Sequence, residues 1–117
     1  MVLAQRLEEY HFYDKEWDDY NELRENFEWN VPEKFNIASY ICDRWAEKRG
    51  RVAIFGEESD GTESVYTFWR SQKEANKLAN YFESVGVKKG DRVGVCLNQR
   101  PVTLVAHIAC WKIGAVS

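Results

Sequence analysis

The sequence predicts an α/β fold, and three observations carry that prediction. Two short β-rich runs, 52–57 and 65–69, flank Asp60-Gly61 and read as a hairpin. A helical pattern over 71–86 gives way to the apolar run "RVGVCL". A second helical pattern then starts at Pro101. The order strand, helix, strand, helix implies a sheet with a parallel component.

Two parts are expected: a helical N-terminal extension over 1–35 and an incomplete α/β subdomain over 36–117. In the first, "DKEWDDYNELRENF" offers Asp14 as an N-cap. Trp17, Tyr20, Leu23, Arg24 and Phe27 follow at helical spacing. A shorter helix is expected between Leu3 and Tyr10. Pro32 breaks the pattern and favours an extended Val31.

Asn36 should cap the next helix, "IASYICDRWAEKR". Ile37, Ile41 and Trp45 recur every four residues, and Gly50 should end it. "VAIFGE" is a strand by its β-branched and aromatic content, and "VYTFW" is its antiparallel return. Over 71–86, Ser71 and Glu74 fit a capping box. Ala75, Leu78, Ala79, Phe82 and Val85 make one apolar stripe, with Gly86 as the stop. "VKKGD" turns, "RVGVCL" extends, and "NQR" turns again. Pro101 suits the first position of the helix "VTLVAHIACWKIG", which is apolar on most sides and should be buried on more than one. A further strand is expected around "GAVS".

Composition excludes several function classes. Apolar residues make up 44% of 117 and aromatics 15%, which argues for a packed core rather than disorder. The net charge of −3 argues against a nucleic-acid partner. Cys42, Cys96 and Cys110 are odd in number and widely spaced, which suits neither zinc nor a disulfide framework. They read as reduced core residues in a cytoplasmic protein. The start has no secretory pattern, and "VTLVAHIACW" is too short to span a bilayer.

The chemical candidates are few. Gly86, Lys88, Lys89 and Gly90 have the residue types of a phosphate loop. They stand between a helix and a strand, whereas a phosphate loop joins a strand to a helix. The glycines therefore read as turn formers, and Asp91 as a hydrogen-bond partner of its own loop. Lys88, Lys89 and Arg92 read as a solvated turn. His11 lies in the acidic start. His107 lies in an apolar helix and reads as a satisfied core residue rather than a base. Asp14, Glu16, Asp18 and Asp19 lack calcium-loop spacing and read as an acidic helix start. Arg6 with Glu8 and Glu9, and Glu22 with Arg24 and Glu25, read as charged helix faces.

"ANYFESVGVKKGDRVGVCL" followed by "RPVTLVAHIACWKIGAVS" resembles the N-terminal part of the adenylate-forming superfamily, AMP-forming acyl-CoA synthetases included. "VYTFWRSQKEANKLAN" resembles the segment that precedes it there. Phe68-Trp69-Arg70 and Val102 depart from the usual residues of the pattern. "FEWNVPEKFNIASYICDRWAE" is similar to the medium-chain branch, close to the acetyl-CoA synthetases.

The resemblance implies a ligase that uses ATP, magnesium and coenzyme A to make acyl-CoA through an acyl-adenylate. The superfamily's phosphate loop and its C-terminal lysine have no counterpart in these 117 residues. No catalytic, cofactor-binding or metal-ligating residue of the family can be placed here, so none is assigned. The chain alone is expected to be inactive and to self-associate as a dimer, or to pair with the rest of a synthetase. The alternative is a stand-alone binding, regulatory or oligomerisation module.

Overall fold

The computed structural model describes residues 15–29 and 32–117. The expected helix between Leu3 and Tyr10, and with it Arg6, Glu8, Glu9, His11, Asp14 and Val31, lies outside the described residues. The chain divides into two units between Phe35 and Asn36.

The first unit contains α1, Tyr20–Asn26. It is shorter than the aromatic spacing predicts. Asp19 is the N-cap: its Oδ1 accepts from the backbone N–H of Asn21 at 2.7 Å and of Glu22 at 3.0 Å. Glu22 accepts in return from the N–H of Asp18 at 2.6 Å. These bonds satisfy the helix start where they stand, so the cap lies five residues beyond the expected one. Phe27 is already extended, with φ −78° and ψ 123°. Trp17 and Phe27 flank the helix and meet edge to face at 6.5 Å.

The second unit holds α2 (Ile37–Ile41), a 3-10 turn (Asp43–Trp45), β1 (Val52–Glu57), β2 (Glu63–Thr67), α3 (Phe68–Ser84) and α4 (Pro101–Lys112). Asn36 caps α2 as expected, its Oδ1 accepting from Ser39 N–H at 3.2 Å. The long helix predicted to Arg49 stops at Cys42, whose φ of −125° leaves helical geometry. Tertiary packing overrides the periodicity. Cys42 turns inward beside the Phe68 carbonyl at 3.7 Å, and Trp45 packs against Phe68 at 6.5 Å. The buried face is accordingly Ala38 and Cys42, while Ile37 is exposed.

β1 has the expected bounds, and β2 pairs with it antiparallel with an irregularity near Val52 and Ile54. Gly61 takes φ +82° in the turn, and Asp60 accepts from Thr62 N–H at 2.9 Å. That bond holds the Asp60 carboxyl below its ordinary value. β2 ends earlier than predicted. Thr67 caps α3, its Oγ1 accepting from Arg70 N–H at 3.1 Å, so Phe68 and Trp69 are helical. Ser71 is buried inside the helix with its hydroxyl unpartnered, and Glu74 pairs with Arg70 at 2.8 Å; the expected capping box does not form.

The core lies where α2, α3 and α4 meet. Ala38, Cys42, Ala75, Ala79, Val105, Ile108 and Ala109 fill it, with Leu78 and Phe82 packed around them. The alanines let the helix backbones approach closely. Of the predicted α3 stripe, Val85 alone is exposed. Helix α4 is buried on more than one side through Val105, Ala106, Ile108, Ala109 and Cys110.

The segment predicted as the strand "RVGVCL" pairs only at its start. Arg92 forms a parallel bridge with Val116, carried by Val93 N–H to the Val116 carbonyl at 2.8 Å and by Val116 N–H to the Asp91 carbonyl at 2.8 Å. Among the described residues no backbone bond pairs 94–97 with another strand. The fold is therefore α/β, with one antiparallel hairpin and a single parallel bridge across α4 among the described residues.

Candidate functional site

The loop after α3 is built by its glycines. Gly86 takes φ +94° and Gly90 φ +88°, conformations that favour glycine. Asp91 accepts from Lys88 N–H at 2.7 Å, the internal bond expected of it. Gly90 N–H reaches the Gly114 carbonyl at 2.9 Å. The stem of Lys89 lies over Gly114, which has φ +73°; a Cβ there would meet Lys89 Cγ at 2.9 Å. Lys88 and Lys89 are exposed, and the backbone N–H of Lys88 and Gly90 is already used. This geometry closes a helix-to-strand turn.

A cleft of about 530 Å³ opens between β1 and the start of α4. Ile54, Phe55, Gly56 and Glu57 line one side; Arg100, Pro101, Leu104 and His107 line the other. Gly56 permits this approach, because a Cβ there would meet Pro101 Cγ at 2.9 Å. Arg100 pairs with Glu58 at 2.7 Å and ties the hairpin to the helix start. His107 departs from its expected role: it is half-buried, its ring stacks on Trp111 at 5.7 Å, and its Nδ1 is buried without a hydrogen-bond partner. Among the described residues no hydrogen bond to a carboxylate orients it as a base.

The cysteines divide into two kinds. Cys42 and Cys110 are buried as expected, and burial pushes the Cys42 thiol up to about 11, with nearby Asp43 adding to the effect. Burial also raises Cys110. Cys96 is exposed, which corrects its assignment to the core: it stands on a segment that forms no strand pairing among the described residues. Among the described residues no three metal-ligating side chains gather together. Lys112 Nζ meets both oxygens of Asp43 at 2.7 Å and joins α4 to the 3-10 turn.

The sequence reading passed over one cluster. Arg44 lies 4.2 Å from the Tyr40 ring centre and 4.1 Å from that of Trp45, and Arg51 lies 4.0 Å from Trp45. Arg49 and Lys73 lie 5.1 and 4.5 Å from Trp69. The signal was present in "DRWAEKRGR", a basic stretch around a tryptophan, but a helical reading spread those residues around a cylinder.

The same arrangement of elements recurs in solved structures. An acyl-CoA synthetase of Brucella canis superposes with a TM-score of 0.73 at 24% identity, over 85% of this chain and 20% of that one. The protein CmiS6 superposes at 0.61 with 20% identity, over 73% and 21%. These likenesses show that the chain has the fold of the corresponding part of an acyl-CoA synthetase. A family model described as AMP-binding enzyme matches residues 42–117, and the chain belongs to that family.

It is 36% identical to the acetyl-coenzyme A synthetase of Magnetococcus marinus over 107 residues, 87% of this chain and 17% of that protein. It is 38% identical to that of Methanothrix thermoacetophila over 100 residues, 76% and 15%. The kinship read from "GVKKGDRV" and "KIGAV" is therefore correct. The chain spans only 15% and 17% of these two relatives' lengths.

Proposed function

We propose that this chain is the N-terminal part of an acid–CoA ligase, inactive alone. The ligase would join a carboxylic acid to AMP with release of pyrophosphate, then pass the acyl group to the thiol of coenzyme A. The observation that carries this reading is the family match over 42–117, in a chain that spans 17% of the Magnetococcus marinus relative. ATP, magnesium and coenzyme A are implied for the whole enzyme. Attack at phosphorus needs several positive groups held around the phosphates. Neither the superfamily's phosphate loop nor its mobile lysine is in this sequence.

In this reading residues 1–35 are an extension and 36–117 an α/β subdomain. No residue of the chain is catalytic. The setting is cytoplasmic, and the open strand segment 93–97 with its apolar neighbours favours a dimer or the remainder of a synthetase as partner. The test is direct. The purified chain is incubated with acetate or octanoate, ATP, magnesium and coenzyme A, and pyrophosphate is measured. No release above the protein-free rate is expected; turnover would overturn the assignment. The alternative is a stand-alone binding, regulatory or oligomerisation module. It gains support if the chain, made alone, is stable and binds a full-length synthetase.

A further inference from the structure

We propose that Arg44, Arg49 and Arg51 form a site for a compact anion carrying two or more phosphate groups. All but one of the cation–ring contacts among the described residues fall in two short stretches, 40–51 and 66–73. Trp45 carries two guanidinium groups, Arg44 at 4.1 Å and Arg51 at 4.0 Å. The two charges therefore lie no farther apart than the sum of those distances. Arg51 also reaches Phe68 at 5.8 Å, and Arg49 sits over Trp69 at 5.1 Å.

These arginines differ from Arg70 and Arg100 in their partners. Arg70 and Arg100 each hold a carboxylate at 2.8 and 2.7 Å. Among the described residues Arg44, Arg49 and Arg51 make no ion pair and no side-chain hydrogen bond, and Nε of Arg44 is buried without an acceptor. A guanidinium stacked on a ring keeps its planar fork of donors at the edge, already oriented for phosphate oxygens. Like charges held together with no counter-charge repel, and a bound anion removes that repulsion.

The chemistry also limits the ligand's size. Two forks on one indole suit two phosphate groups better than one. The net charge of −3 repels a long polyanion, while a compact one feels mainly the local field.

The experiment titrates the full chain with inorganic tripolyphosphate at about 0.15 M salt, reading tryptophan fluorescence and heat. Saturable binding is expected, weakened about tenfold by Arg49→Gln or Arg51→Gln and unchanged by Lys88→Gln with Lys89→Gln. Arg51→Lys keeps the charge and loses the fork, so it should weaken binding as well. An ATP arm separates the sources of the phosphates. Equal affinity assigns the site to phosphate alone, and tighter ATP binding adds the nucleoside. Protection of the unmutated arginines from phenylglyoxal by tripolyphosphate repeats the test without substitution. Absence of saturable binding, absence of protection, indifference to both Gln variants, or binding of poly-glutamate in place of tripolyphosphate would each overturn the proposal.

Discussion

Cys42, Cys96 and Cys110 differ in environment more than in sequence context. Cys42 and Cys110 lie in the core; Cys96 lies on an unpaired exposed segment. Burial disfavours the thiolate, the form that reacts. At pH 8 an alkylating reagent should modify Cys96 alone in the native chain and all three in denaturant; mass spectrometry distinguishes the outcomes. Fast native labelling of Cys42 would contradict the packing of α2. The sign of the linkage follows. The Cys42 value is raised from 9.0 to about 11, so its neutral form supports the fold below 9. That support is lost as pH rises through 11. The half-buried pair Lys112–Asp43 is the other residue-scale test. Asp43→Asn should cost about 2 kcal/mol by denaturant titration, between the values for exposed and buried pairs.

Within the elements, the sequence was legible wherever a local bond decides the boundary. Asn36 caps α2 and Pro101 opens α4, because each needs only its own neighbours. The hairpin formed around Asp60-Gly61 for the same reason. The start of α3 was misread, because Thr67 and Ser71 both suit a cap and only packing chooses between them. Phe68 packs against the core beside Trp45, which draws the first turn inward and leaves Thr67 outside to cap it. Thr67→Ala should therefore cost about 1 kcal/mol. Ser71→Ala should cost almost nothing, since its hydroxyl is buried without a partner. Chemical denaturation of both variants checks this; the reverse order would restore Ser71 as the cap. The candidate sites were legible in part: the loop at 86–91 was read correctly as a turn, whereas the stacked arginines depend on a helix break at Cys42 that no spacing reveals.

Across the whole molecule, exposed apolar surface sets the behaviour. Phe55 is 80% exposed, Val116 55% and Leu97 52%, and the backbone from 94 onward lacks a strand partner until α4. Such surface favours association. Light scattering on the isolated chain should give a mass of two chains at working concentration. A monodisperse monomer would remove the dimer from the proposed function without touching the family assignment. Among the described residues no helix is long and apolar enough to cross a membrane.

What the sequence determined by itself was kinship and local punctuation. Family motifs, caps, glycine turns and the hairpin are short-range patterns, and each is carried by residues a few positions apart. The tertiary structure decided where α1 and α2 stop, which faces are buried and how far the last strand pairs. Those outcomes depend on partners distant in the chain. Cys42 leaves its helix to meet Phe68, and Arg92 bridges to Val116 across α4. Periodicity records which residues want burial, while the space available beside them settles which are buried.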